Sequence, residues 1–273
     1  MAAAWAVAAL FVCVALAVYA AQFRCIVLDG GQVRVSEFGL PEALMSLVFA
    51  GFFTWITVLA VAGGLRHGHD AGETEVTVNM VLPNSLIFVI FSAGIAGFLH
   101  YRGLHLRQTF GLDRLPILAL LGWSCGLLLA AFPLIETAST LTELALRDNA
   151  EPQALVNLFN KAAQEHDYRA MGTILLSAVF IQPACEEFLF RGFFYGVWKR
   201  YLGALRGGFL ASLLFAAFHT SLAAFGVLFV LAVCLNIAYE RTGSLLVPIL
   251  MHALFNLTSL LFLFGFAQFG APR

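Results

Sequence analysis

The stretch PACEEFLFRG, residues 183–192, ends an apolar run with three charges, Glu186, Glu187 and Arg191. A charged side chain at the middle of a bilayer costs about 2.5–3.5 kcal/mol on insertion scales, so three uncompensated ones would cost on the order of 8 kcal/mol. Something must offset that. On a helix Glu187 and Arg191 stand at i and i+4, on one face, where they can pair. Glu186 is turned about 100° away and has no such neighbour. The spacing divides the labour: one carboxylate is held by the arginine and the other is left free to react. The sequence RGFFYGVW continues apolar past Arg191, which argues against a solvated helix end.

Two further runs carry the same signature. LLFAAFHT puts His219 at the end of an apolar run, with Phe215 one turn earlier on the same face. PILMHALFN puts His252 and Asn256 at i and i+4 inside another. A single histidine in such a run is usually a packed, hydrogen-bonded residue. Two histidines, an amide and a carboxylate pair on three separate helices are different, because converging on one polar cavity lets them satisfy each other. A carboxylate with a histidine can activate water as a general base and then protonate a leaving amine. A histidine and an asparagine on successive turns can donate to the oxyanion of a tetrahedral intermediate. That set is sufficient to hydrolyse an amide without a covalent intermediate.

The elements that must position these residues follow from composition. Of 273 residues, 61% are hydrophobic and 11% charged, against about 25% charged in soluble domains, and the mean hydropathy is +0.88. A span needs about 20 mainly apolar residues. Runs near 3–21, 40–63, 84–100, 116–135, 171–190, 207–219, 224–239 and 245–267 qualify, the sixth being short enough to cross only partly. The first lacks a basic leading region and reads as an uncleaved anchor. Runs of this length exclude barrel strands, leaving helices as the spanning structure. The expectation is an all-α polytopic membrane protein: about eight transmembrane helices, one integral domain over 1–273, and an intramembrane polar cavity. Between the fourth and fifth runs, Leu155, Leu158, Phe159 and Ala162 repeat at helical spacing and predict a surface amphipathic helix. No basic patch with interleaved aromatics exists, which removes nucleic acid as a partner. The five cysteines form no CxxC pair and read as small buried hydrophobes.

Rival motifs point elsewhere with less force. GWSCG at 122–126 matches the G-x-S-x-G pattern of serine hydrolases. That motif works on a strand–turn–helix elbow, whereas Ser124 sits within a continuous apolar run, where small residues line a helix contact. Zinc is the harder rival, since Glu186, His219 and His252 are all possible ligands. The chain lacks H-E-x-x-H and the close ligand pairs usual in such sites, so the reading assigns no metal and no cofactor. His67, His69 and Asp70 read as a solvated loop.

The set EEFLFR (186–191), FAAFH (215–219) and HALFN (252–256) resembles the CPBP family, the CAAX prenyl protease and bacteriocin-processing group of intramembrane proteases. The pattern is E-E-x-x-x-R, F-x-x-x-H and H-x-x-x-N, in that order, and YERTGSLLVPILMHALFN also looks like the family's approach to its third motif. The likeness covers roughly 171–260, which is expected to be the catalytic core. It implies an eight-helix membrane endopeptidase of the glutamate type. Glu186 with His219 would activate water, His252 and Asn256 would form the oxyanion hole, and Glu187, Arg191 and Phe215 would support the site. The expected substrate is a membrane-associated or lipidated protein or peptide, and the expected location a bacterial inner membrane. Three alternatives remain open: a zinc-dependent membrane protease, a proton-coupled transporter, and a membrane protein that binds peptide without cutting it. A transporter usually shows inverted repeats, and none is visible here.

Overall fold

The computed structural model describes residues 2–67, 77–146 and 154–269. Among them every regular element is helical: α1 (Ala2–Asp29), α2 (Leu40–His67), α3 (Val78–Tyr101), the single turn α4 (Leu106–Thr109), α5 (Ile117–Leu146), α6 (Ala154–Gln164), α7 (Tyr168–Leu175), α8 (Gln182–Glu187), α9 (Gly196–Phe218), α10 (Leu222–Thr242) and α11 (Leu246–Phe269). Two π-helical stretches, Leu176–Ile181 and Phe188–Tyr195, bracket α8. The chain is an all-α polytopic membrane protein. Leu, Val, Ala and Phe run round the long helices α1, α2 and α3 without a polar face, and large apolar side chains are exposed along these and along α5. That is the pattern of a surface that meets hydrocarbon.

Seven helices among the described residues are long and apolar enough to cross, against the eight expected. The difference lies in one stretch, Tyr168–Phe218, which holds both the fifth and sixth runs. It is not straight. Gly203 adopts φ 84° and ψ 166°, outside the helical region, a conformation that glycine reaches without steric cost. Beyond it, a Cβ on Gly207 would lie 2.8 Å from the Lys199 backbone nitrogen. Residues eight apart in a straight helix are about 12 Å apart along its axis. The chain therefore folds back at Gly203, and 204–218 is a return arm against the helix that carries Glu186.

The π stretches have a cause in the sequence. Pro183 has no N–H and its ring collides with the carbonyl of a regular preceding turn. The turn before it widens, and the Gln182 N–H bonds to Ser177 O, five residues back. Below this point the interior is aromatic: the Phe53 ring lies 4.8 Å from that of Phe218, 5.8 Å from Phe194 and 6.3 Å from Phe190. The α10 helix runs through the middle of the bundle, packed on α5, α9, α1 and α11.

Several expectations shift. The amphipathic helix exists as α6, but its apolar face turns onto protein: Phe159 and Ala162 are buried against α7 and α11 residues such as Ile174 and Leu260. Of the five free cysteines, Cys185 and Cys234 are buried, whereas Cys13 and Cys125 are exposed on their helices. Ser124 is buried and donates to Val247 O at 3.3 Å, a tie between α5 and α11. Gly122 and Gly126, by contrast, have open space where a side chain would be, so the small-residue contact expected of GWSCG is made by the serine and not by its glycines. His69, Asp70 and the His67 side chain lie outside the described residues.

Candidate active site

Glu186 and Glu187 sit on the last turn of α8, and the second π stretch carries Arg191 just beyond. Glu187 Oε1 accepts from Arg191 Nη1 at 2.9 Å, the pair expected from their spacing. The same oxygen also accepts from His252 Nδ1 at 2.8 Å, which the spacing did not reveal. One carboxylate oxygen thus anchors a guanidinium from its own helix and an imidazole from α11. Arg191 lies with its Cζ 4.3 Å from the centroid of the Phe215 ring, a favourable cation–π position. The Phe215 ring also touches both imidazoles, with centroids 4.8 Å from His219 and 5.8 Å from His252.

The histidine tautomers follow from their partners. His219 Nδ1 lies 2.8 Å from Phe215 O. A carbonyl only accepts, so Nδ1 carries the proton and Nε2 of the neutral ring is a base. The Nδ1 of His252 likewise donates to Glu187. Both Nε2 atoms then face Glu186: each is 3.9 Å from its Oε2. Glu186 is 8% exposed, and this oxygen has no hydrogen-bond partner among the described residues. A buried carboxylate oxygen thus stands between two imidazole nitrogens, too far to bond either directly, at a separation short enough for a single bridging water.

Asn256 occupies the next turn of α11. Its Nδ2 donates to Ala178 O at 2.7 Å. That carbonyl needs a partner because of Pro183. In the widened turn Gln182 N–H bonds to Ser177 O, and the donor due to Ala178 O five residues on would be Pro183, which has none. Leaving a buried carbonyl unpaired costs about 1–3 kcal/mol, and the asparagine amide meets that need. One of its two N–H groups is used in this way and the other remains.

Glu186, His219, His252 and Asn256 all line one cavity of about 440 Å³. Its other walls come from residues that the motifs did not single out. Gln182 stands one turn before Glu186 with a buried Oε1 that has no partner among the described residues. Ser259 follows Asn256, Val227 and Leu228 come from α10, and Leu155 and Val156 from α6. The i−4 position of Gln182 was a signal available in the sequence; the α6 wall was not. Among the described residues no group of three or more His, Cys, Asp or Glu side chains is arranged to hold a metal ion.

Residues 170–258 match the family model described as Type II CAAX prenyl endopeptidase Rce1-like. This stretch is similar to an Rce1-like domain. It contains Gln182, Glu186, Glu187, Arg191, His219, His252 and Asn256, with Ser259 just beyond its end, and the likeness is to a prenyl endopeptidase family. The Rce1-like stretch covers 89 of the 273 residues, counted from its limits, so α1 to α6 fall outside it. The chain is also similar to an Escherichia coli protein described as an uncharacterized 24.3 kDa protein, 37% identical over 100 residues. That alignment takes in 33% of this chain and 43% of the relative, so the chain spans less than half of the relative's length. No solved structure matches the chain.

Proposed function

We propose that the protein is an intramembrane endopeptidase of the glutamate type, which cleaves a peptide bond in a membrane-associated or lipidated protein by water attack. The observation that carries this reading is the unpartnered Glu186 Oε2, held 3.9 Å from two imidazole Nε2 atoms inside one cavity.

Glu186 and His219 hold the attacking water between them, and one of them takes its proton as the water oxygen bonds to the scissile carbonyl carbon. The carbonyl π pair moves onto oxygen. His252, in its charged form, donates from Nε2 to that oxyanion, while Glu187 at Nδ1 balances the imidazolium; the free N–H of Asn256 is the second donor. Collapse breaks the C–N bond, and the proton taken from water passes to the leaving amine. One amide and one water become one carboxylic acid and one amine, with no covalent enzyme intermediate and no cofactor.

The role of Arg191 is to hold the Glu187 carboxylate in place through its 2.9 Å hydrogen bond. Phe215 supports the site in another way, since its carbonyl fixes the His219 tautomer and its ring packs under Arg191. The test is reconstitution of the purified protein with membrane-anchored peptides. Cleavage by the wild type, with Glu186→Gln folded and inactive, is the expected result, because the amide fills the same space but cannot take a proton. Solute flux without cleavage would instead support a transporter, and a Glu186→Gln variant that still cleaves would refute the assignment.

A further inference from the structure

The catalytic cavity is bordered by one polar side chain to which the reaction above gives no task. Gln182 stands on α8 one turn before Glu186, so the two share a helix face. Its Oε1 is buried and has no hydrogen-bond partner among the described residues. Leaving such an acceptor unpaired is costly, and buried polar groups in native proteins have a partner. The side chain lies against the space that the substrate enters.

Its neighbours say what that partner is. His252 bonds Glu187 and Asn256 bonds Ala178 O. The α11 helix therefore runs antiparallel to the segment that carries Glu186, and Gln182 lies between these two levels. Among the described residues the polar ones that border the cavity are Gln182, Glu186, His219, His252, Asn256 and Ser259. The last three belong to α11, where His252 and Asn256 take the scissile carbonyl oxygen and the Ser259 hydroxyl is spent on Phe255 O at 2.9 Å. A trans peptide points its N–H opposite to its C=O. With the oxygen on α11, the scissile N–H points to the side that carries Gln182, Glu186 and His219. Glu186 and His219 hold the water. Gln182 is the acceptor that is left.

We propose that Gln182 Oε1 accepts a hydrogen bond from the N–H of the scissile amide, and that this bond lets the site cleave amides as well as esters. This role presupposes the amide hydrolysis proposed above. The chemical reason is the nitrogen lone pair. When water adds to one face of the carbonyl, that pair develops antiperiplanar to the new C–O bond, away from Glu186 and His219. Those two carry the proton that nitrogen must receive before the C–N bond breaks. Nitrogen has to invert first, and an acceptor for its N–H stabilises the inverted form. The leaving oxygen of an ester has a second lone pair and no N–H, so it needs neither the inversion nor Gln182.

The test compares two substrates of the purified full chain in nanodiscs: a membrane-anchored peptide, and its depsipeptide with oxygen in place of the scissile N–H. Gln182→Met keeps the length of the side chain without the acceptor. It should lower kcat for the amide on the order of tenfold, the worth of one hydrogen bond, and leave ester cleavage unchanged. Intact ester cleavage also shows that the variant is folded with Glu186 and both histidines in place. A second measurement uses the wild type. Methylating the scissile nitrogen removes the same N–H, so the methylated peptide should be cleaved about tenfold more slowly or worse, and Gln182→Met should add nothing to that loss. Equal losses on amide and ester, or unimpaired cleavage of the methylated peptide by the wild type, would overturn the role of Gln182 and leave the protease standing. A wild type that cleaves neither substrate would overturn both.

Discussion

Glu187 Oε1 receives both Arg191 and His252, and this single atom decides how its two neighbouring carboxylates differ. Glu187 is fully buried and Arg191 nearly so. Replacing Glu187 by glutamine leaves a buried guanidinium without its counter-charge, and breaking such a pair costs about 3–5 kcal/mol. Glu187→Gln should therefore lower the melting temperature clearly and reduce cleavage as a secondary effect, through loss of the His252 orientation. Glu186→Gln should abolish cleavage with little change in melting. Thermal unfolding and activity measured side by side on the two variants test the division; equal melting for both would contradict it. The pair at i and i+4 was legible in the sequence because helix geometry fixes it. The His252 contact was not, because it joins residues 65 positions apart, and neither motif says which histidine meets which carboxylate.

At the level of elements, the fold-back at Gly203 places His219 over Glu186. The return arm meets the preceding helix so closely that Gly207 has the Lys199 nitrogen and Trp198 carbonyl carbon within 3 Å of where its Cβ would be. Those are backbone atoms and cannot step aside as a side-chain tip would. Gly207→Ala should force the two arms apart and move His219 relative to Glu186. The expected outcome is a loss of activity larger than the loss of folded protein, read as specific activity of the monodisperse fraction. Hydropathy alone marked 171–190 and 207–219 as separate runs, which the turn at Gly203 explains. Their number differs from the count of long helices because the helical pattern is nearly continuous through the turn. The α6 helix was legible from the spacing of Leu155, Leu158, Phe159 and Ala162, but not the surface it would cover. Periodicity reports that a face is apolar and is silent on whether lipid or protein meets it.

For the molecule as a whole, the fold class was written in composition, since so apolar a chain has few ways to satisfy its backbone in lipid. The convergence of Glu186, His219, His252 and Asn256 was legible from the cost of burying each alone. Which helices surround them was not, because the residues of those walls carry only generic hydrophobicity. The metal-free reading has a consequence at this scale. A zinc mechanism needs three protein ligands and an open position, which would consume Glu186 and both histidines and leave no water-activating pair. Cleavage should survive EDTA and phenanthroline, and elemental analysis of active protein should find no stoichiometric zinc. Activity lost on chelation and restored by zinc would move both histidines to the metal.

The widened turn before Pro183 has a meaning at the level of the gene. A π-helical turn is an α-helix with one residue to spare, so the site depends on a surplus codon somewhere between 176 and 181. Deleting Val179 would leave the segment as apolar and almost as long, and the protein should still reach the membrane in normal amount. It would also rotate the upstream helix against Glu186 by about 100° and take Ala178 O away from Asn256. Membrane-fraction abundance with cleavage measured in parallel should show the first intact and the second lost. Conservative replacements of Val179 should be harmless. Here the length of the chain, more than the identity of its residues, aims the carboxylate.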